Sequence, residues 1–453
     1  MASSKERSPG KVKRAGHQKS DDPSTRLQEV LRLNRESGRG GVYAVCSAHP
    51  QVIDAAIEQA LEDGSVLHVE STSSQVNQFG GYTGQTPLSF SDWIRGAAQR
   101  SGLPANRVLL GGDHLGPFPW RSENADSALE KGSALVRACV LSGYHKIHLD
   151  ASMPCADDRS ASLDDKTVAD RAAILCRAAE NAYGELPSGC PQIVYVIGTE
   201  VPAPGGESQG AHAPDVTTAE HMHRTVEIFQ RAFSERSLAS AWERVVALVV
   251  QPGVEFGSDL VYDYDRSKTR SLTAALSEHA GIVYEAHSTD YQSPKSLQQM
   301  VEDRFAILKV GPWLTYAYRE AVLALAAIEH ELLKSTPGTQ LSQVREALQT
   351  AMLNNPIHWR SYYRGDEEET RRELIYSYSD RCRYYWTAPS VQKEITQLFD
   401  NLAAQPIPLT LVSQFLPLEY EAMREGKIEA TWEMLVRNHI RHVLRVYSRA
   451  CAA

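Results

Sequence analysis

No apolar run in the 453 residues approaches the roughly 20 that a membrane-spanning helix requires. Positive charge is not in excess either: 47 Lys and Arg stand against 56 Asp and Glu, a formal net charge of −9. Neither counterion release on a nucleic acid nor attraction to an anionic lipid surface is then available. The seven cysteines (46, 139, 155, 176, 190, 382 and 451) are scattered, odd in number and never arranged as C-x-x-C. That excludes a zinc ribbon or a disulfide framework and suits a reducing cytoplasm. The N-terminal stretch lacks the apolar segment of a secretory signal, and residues 1–25 read as a polar, disordered tail. No G-x-G-x-x-G turn follows the first apolar run, which argues against a dinucleotide-binding sheet, and no G-x-x-x-x-G-K-[ST] loop is present to serve a nucleotide-dependent kinase.

What is present is a repeated alternation. Eight short β-branched runs, "GVYAVCSAHP" (41–50), "SVLHVEST" (65–72), "RVLLGGDH" (107–114), "HKIHLDAS" (145–152), "QIVYVIGTE" (192–200), "RVVALVVQPG" (244–253), "GIVYEAHS" (281–288) and "FAILKVGPW" (305–313), are each an apolar core running into polar and glycine residues. Strands buried on both faces have this composition. Amphipathic stretches separate them, such as "PQVIDAAIEQALEDG", opened by Pro50 and stopped by Gly64. Eight strand–helix units in series predict an α/β fold, a (β/α)8 TIM barrel over residues 26–315. Beyond 315 the rhythm stops, and residues 316–453 read as a mostly helical C-terminal extension packed on the barrel.

In such a barrel the chemistry sits where strands finish. Here the strand ends carry Ser47 and His49, Glu70, Asp113 with His114, Asp150, Glu200, Gln251, Glu285 with His287, and Lys309. Helix capping accounts for Ser47 and Asp150. A lone histidine bonded to a backbone carbonyl would account for His114 or His287, and solvation for Glu200. Gathered in one barrel mouth, His114, Glu200 and His287 instead match the ligands of a catalytic divalent ion: zinc by the nitrogen-rich set, with manganese or cobalt as alternatives. Asp113 beside them, or Glu70, is placed to move a proton. His68 and His148 lie within strands and read as core histidines.

Around these residues the sequence resembles the large, so-called non-catalytic subunits of class II tagatose-bisphosphate aldolase, some relatives of which are assigned as tagatose 6-phosphate 4-epimerases. The resemblance spans nearly everything after residue 25. It is carried by "CSAHP" (46–50), "NQFGGYTGQTP" (77–87), "GGDHLGP" (111–117) and "YSYSDRCRYYW" (376–386). More distantly, Asp113-His114 is similar to the proton-carrying aspartate and metal histidine of class II aldolases themselves. "EAHS" resembles their later metal histidine, hence His287, and their middle one falls near Glu200. Those aldolases cradle a C1 phosphate in glycine-rich loops, whereas "HSTDYQ" and "KVGPW" stand here instead.

The resemblance implies a cytoplasmic, metal-dependent isomerase interconverting D-tagatose 6-phosphate and D-fructose 6-phosphate, ketohexoses phosphorylated only at C6. The proton on C4 of a ketose is not acidic, so epimerisation there requires cleavage and re-formation of the C3–C4 bond, which is aldolase chemistry. Ser47, Asn77 and Gln251 are expected to contact the sugar. Ser377, Ser379, Arg381 and Arg383 are expected to hold the C6 phosphate. The alternative implied is a subunit that stabilises a separate class II aldolase catalytic chain. A homo-oligomer is compatible with either.

Overall fold

In the computed structural model, residues 22–160, 162–201 and 213–452 are described. Ten strands are present among them: β1 (Val42–Val45), β2 (Leu67–Thr72), β3 (Val108–Leu115), β4 (Lys146–Leu149), β5 (Val194–Ile197), β6 (Val245–Val249), β7 (Glu255–Phe256), β8 (Val261–Tyr262), β9 (Val283–Ala286) and β10 (Phe305–Val310). β7 and β8 form a short antiparallel ribbon, and the other eight close into a parallel barrel in the order β1-β10-β9-β6-β5-β4-β3-β2. Helices wrap it, as parallel strands buried on both faces require. All eight expected runs are barrel strands. No helix among the described residues is long and apolar enough to cross a membrane.

The barrel interior has two storeys. Leu109, Val194, Val196, Ala247, Val283 and Ile307 pack below, and Leu27 and Leu31 of the helix Pro23–Ser37 join the same cluster from the N-terminal side. That helix is capped by the Asp22 side chain on the Thr25 amide and starts on Pro23. The expected tail therefore ends sooner than residue 25, and residues 1–21 lie outside the described residues. The upper storey is charged. Glu70, Lys146, Glu285 and Lys309 are all buried there, and this polar storey positions the site.

The C-terminal segment is more than an addition to the barrel's outside. Its last helix, Trp432–Cys451, packs against the helix Pro50–Asp63 that follows β1, the helix Pro294–Glu302 that follows β9, and β1 itself. It thus stands in the ring between the first and seventh barrel helices. Arg437 pairs with Glu58 at 2.9 Å, Tyr447 donates to the Thr289 carbonyl at 2.7 Å, and the Gly41 amide donates to the Cys451 carbonyl at 3.0 Å. The helix directly after β10, Pro312–Leu333, lies against it. The expected boundary at residue 315 therefore falls within a helix, and the chain's final turns complete the barrel.

Candidate active site

The stretch "LLGGDHLGP" is shaped by what its neighbours leave free. A Cβ on Gly111 would stand 2.8 Å from Glu70 Oε1, and one on Gly112 would stand 2.3 Å from Leu115 Cδ1. The two glycines let β3 pass over the Glu70 side chain and turn. His114 is then held in the left-handed region at φ 48°, a strained state for a non-glycine residue that aims its ring into the barrel mouth.

Three imidazoles meet there. The ring centres of His114 and His287 are 5.0 Å apart, and each is 5.3 Å from that of His148. They come from the ends of β3, β4 and β9. His114 Nδ1 bonds Asp150 Oδ2 at 2.8 Å, the carboxylate–histidine arrangement that orients a metal ligand. His148 Nδ1 lies 3.0 Å from Asp113 Oδ1 and 3.2 Å from the His114 amide nitrogen, while its buried Nε2 has no hydrogen-bond partner among the described residues. Such an orphaned ring nitrogen costs free energy unless it finds a partner. Asp113, His148, Glu285 and His287 each place one donor atom within 4.8 Å of the others. These four side chains could hold a metal ion, and the His114 ring stands beside them, 5.0 Å from that of His287.

Beneath the rings runs an ion network. Lys146 Nζ lies 2.5 Å from Glu70 and 2.7 Å from Glu285. Lys309 Nζ pairs with Glu70 in a short contact, with Asp113 at 2.9 Å and with Glu285 at 3.7 Å. Four carboxylates, those of Glu70, Asp113, Asp150 and Glu285, therefore face two ammonium groups around the imidazoles. A buried negative excess of this kind favours a divalent cation. A second cluster, Cys46, Glu70 and Asp113, also brings donor atoms together, but the Lys309 ammonium already serves as its cation.

The titration states follow from these neighbours. Burial alone would raise the Asp113 carboxyl, but His114, Lys309 and the His148 hydrogen bond hold it well below its ordinary range. Burial would lower the Lys309 ammonium, and Asp113 with the other acidic neighbours pushes it well above instead. His287 is lowered to about 4, chiefly by burial, so it is a neutral imidazole with a lone pair to offer. For His114 burial is outweighed by Asp113 and Asp150, and its affinity for a proton rises.

Above the rings opens a cavity of about 870 Å³. Asp113, His114, His287 and Lys309 are among its lining residues, with Arg381, Arg383 and Tyr384 elsewhere on its wall. The arginines are set by Asp380, itself left-handed at φ 47°, which accepts from Thr315 Oγ1 at 2.6 Å and Arg319 Nη1 at 3.1 Å. Arg383 Nη1 donates to the carbonyls of Ser379 and Asp380 at 2.5 and 3.0 Å and its Nη2 to Tyr384 Oη at 3.0 Å, and it makes no ion pair among the described residues. Arg381 lies over the Tyr362 ring and donates to Tyr384 Oη at 3.4 Å. Burial would raise the Tyr384 phenol, but the two guanidinium groups outweigh it and lower it. The Tyr82 ring, from the loop "NQFGGYTGQTP", packs 4.7 Å from Tyr384, so two stretches far apart in sequence share one wall.

Several expected site residues are elsewhere. Glu200 does not join the imidazoles: it pairs with His221 at 3.2 Å, accepts from Thr217 in a short hydrogen bond, and its side chain is 36 % exposed. Its strand, β5, ends at Ile197, and the backbone has turned away before residue 200 is reached. Glu70 is buried under the cavity, clamped between Lys146, Lys309 and His68, and does not line it, so that of the two expected proton carriers only Asp113 does. Gln251 folds back, its Oε1 accepting from the Gly253 and Val254 amides at 2.8 and 3.1 Å. Ser377 and Ser379 bond each other at 2.9 Å, and Ser379 bonds Tyr363 at 3.1 Å, behind the wall. Ser47 and Asn77 do line the cavity, although Asn77 Oδ1 already accepts from the Phe79 and Gly81 amides at 2.9 and 3.1 Å.

His148, Lys146 and Glu285 are brought in by the fold, and the two-residue period of strands is the signal that carries them. Lys146 and His148 alternate with Ile147 and Leu149, and Glu285 and His287 with Tyr284 and Ala286, which places each charged pair on the barrel's inner face.

Fold and site together define a (β/α)8 barrel with a buried histidine–carboxylate–lysine centre at the carboxyl ends of its strands. Residues 27–452 match the family model described as D-tagatose-1,6-bisphosphate aldolase subunit GatZ/KbaZ-like, and the chain belongs to that family. A solved structure from Sinorhizobium meliloti 1021, named a probable tagatose 6-phosphate kinase, is 42 % identical, with 91 % of this chain and 100 % of that one covered and a TM-score of 0.83. The YdjI aldolase of Escherichia coli K12 is 10 % identical over 84 % of this chain and 98 % of its own, with a TM-score of 0.39. Fructose-bisphosphate aldolase of Campylobacter jejuni is 12 % identical over 90 % and 96 %, with a TM-score of 0.41.

Proposed function

We propose that this protein is a metal-dependent 4-epimerase interconverting D-tagatose 6-phosphate and D-fructose 6-phosphate by cleaving and re-forming the C3–C4 bond. The observation that carries this reading is the convergence of His114, His148 and His287, with an orphaned nitrogen among them, beside an ionised aspartate in one cavity. Zinc suits a set of three imidazoles, with manganese or cobalt as alternatives. When bound by those histidines, the ion supplies Lewis-acid polarisation of the ketose oxygens.

The chain's own groups do the rest. Asp113 takes the C4 hydroxyl proton as the C3–C4 bond breaks, leaving the electron pair on the three-carbon enediolate and an aldehyde at C4. Lys309, 2.9 Å away, favours the anionic form of Asp113 between turnovers. Arg383 and Arg381 are charged hydrogen-bond donors on the same cavity wall, where the C6 phosphate would be held. Turning the aldehyde before the bond re-forms inverts C4.

A C1 phosphate has less to bind. The amides of Gly311 and Trp313, at the start of the helix after β10, both donate to Asp290 Oδ1, at 3.0 and 2.8 Å. A carboxylate thus takes the amides that would cradle that phosphate. The name of the Sinorhizobium relative shares the sugar phosphate but not the reaction, and this chain has no G-x-x-x-x-G-K-[ST] loop for a nucleotide. The family description favours a second reading, a subunit supporting a separate aldolase chain.

Purified protein loaded with zinc, manganese or cobalt is expected to convert fructose 6-phosphate to tagatose 6-phosphate unaided, and to lose that activity on chelation. Turnover only when a class II aldolase catalytic chain is added would establish the subunit reading instead.

A further inference from the structure

Epimerisation through bond cleavage makes a demand that aldol cleavage alone does not. The C4 oxygen points to opposite sides of the carbon chain in the two epimers, so a carboxylate placed to take its proton in one stands on the wrong side for the other. Two proton carriers on opposite sides of the cavity answer the demand.

Resting on the epimerase reading, we propose that Asp290 is the second carrier, serving the C4 oxygen of one epimer while Asp113 serves that of the other. Asp113 ends β3, and Asp290 follows β9 in the loop that carries His287. In the closed order of eight strands, three separate β3 from β9 in either direction, so the two residues are carried by opposed strands, and the amides that hold the Asp290 carboxylate stand at the end of β10, with β1 and β2 between it and β3. Both line the same cavity. Asp290 is 3 % exposed, and the Gly311 and Trp313 amides fix its Oδ1. No side chain donates to its Oδ2, and it has no ion-pair partner among the described residues.

Burial raises Asp290 to about 6, against the pull of the two amides and of Arg383, which suits a group that must lend a proton near neutral pH. The phenols of Tyr291 and Tyr447 also stand close to Asp290. In one direction Asp113 removes the C4 hydroxyl proton and C3–C4 breaks. The aldehyde turns about C4–C5, C3 attacks its other face, and the C4 alkoxide takes a proton from Asp290. The proton gained by Asp113 and that lost by Asp290 are restored by exchange with water in the cavity.

The test supplies the metal-loaded protein with dihydroxyacetone and D-glyceraldehyde 3-phosphate, the fragments of C3–C4 cleavage, and measures the initial rate of each ketohexose 6-phosphate. Wild type is expected to form both. Asp290→Asn keeps a carbonyl for the two amides but carries no acidic proton. One epimer's rate should fall about 100-fold or more while the other stays within about threefold, the size of effect that a single proton carrier has. A ratio of epimers unmoved by the substitution overturns the proposal and leaves Asp290 as a helix cap.

Two measurements do not depend on the variant's turnover. In wild type the epimer served by Asp290 should gain on the other as pH falls through about 6, because addition needs the acid protonated, and parallel profiles overturn the assignment. Infrared difference spectra of metal-free wild type against Asp290→Asn should show a carboxylic acid band lost as pH rises through the same range, and its absence counts equally against the assignment. If the same wild-type sample does not convert fructose 6-phosphate to tagatose 6-phosphate, the epimerase reading itself has failed. If it forms both with an unmoved ratio, only the role of Asp290 has.

Discussion

At the residue scale the proposed mechanism divides the work between the histidines and Asp113, and substitution should separate them. His148→Ala removes the ring whose Nε2 has no protein partner, so it should abolish stoichiometric metal content, as measured by elemental analysis after dialysis. A core histidine would leave metal content intact and lower only the melting temperature. Asp113→Asn should keep the metal and lower turnover about 10² to 10⁴-fold, the range for losing a positioned base. The asparagine can still hydrogen-bond Lys309 and His148, but it cannot accept the C4 proton. Acid should expel the proposed ion from wild type. His114 binds a proton more readily than an ordinary imidazole, and His287 resists protonation until pH nears about 4, so of these two proposed ligands His114 is the one at which protons compete first.

At the scale of elements, the loop after β3 is built by steric exclusion. A Cβ on Gly116 would stand 1.8 Å from the Asp150 carbonyl oxygen, with backbone and not a flexible side chain as the obstacle. Gly116→Ala should therefore cost about 1–3 kcal/mol of stability or more, as overpacking does. It should also weaken metal retention, because Asp150 orients His114. Gly184→Ala, at a helix end with open space around the added carbon, should leave both nearly unchanged, and thermal melts of the two variants make the comparison. The strands themselves were legible because each is a short β-branched run that ends in glycine or polar residues. Glu200 was misplaced because it lies beyond the last residue of β5, where strand alternation no longer governs direction.

At the scale of the whole molecule, the C-terminal helix ties the extension to the barrel. His439 lies between Glu419 and Glu320, at 3.2 and 3.4 Å, and joins three helices. Burial would lower its imidazole, but hydrogen bonds to the two glutamates outweigh burial and push it up to about 9. A folded-state value above the unfolded 6.5 means that protonation favours the fold. The contribution is complete below pH 6.5 and is lost as pH rises through about 9. The melting temperature of wild type should fall across that window, and His439→Gln should flatten the fall while lowering stability at pH 6.

The sequence by itself determined the barrel, because eight apolar runs separated by amphipathic helices can bury their faces in few other ways. It also marked Asp113, His114 and His287, whose chemistry stands out at strand ends. Tertiary structure alone decided that His148 and not Glu200 completes the imidazole cluster, that Glu70 is an internal counter-ion, and that the final helix stands in the barrel ring. Those outcomes depend on which side chains meet across the barrel's closure, a geometry set by strand register and packing between segments hundreds of residues apart, which no local pattern encodes.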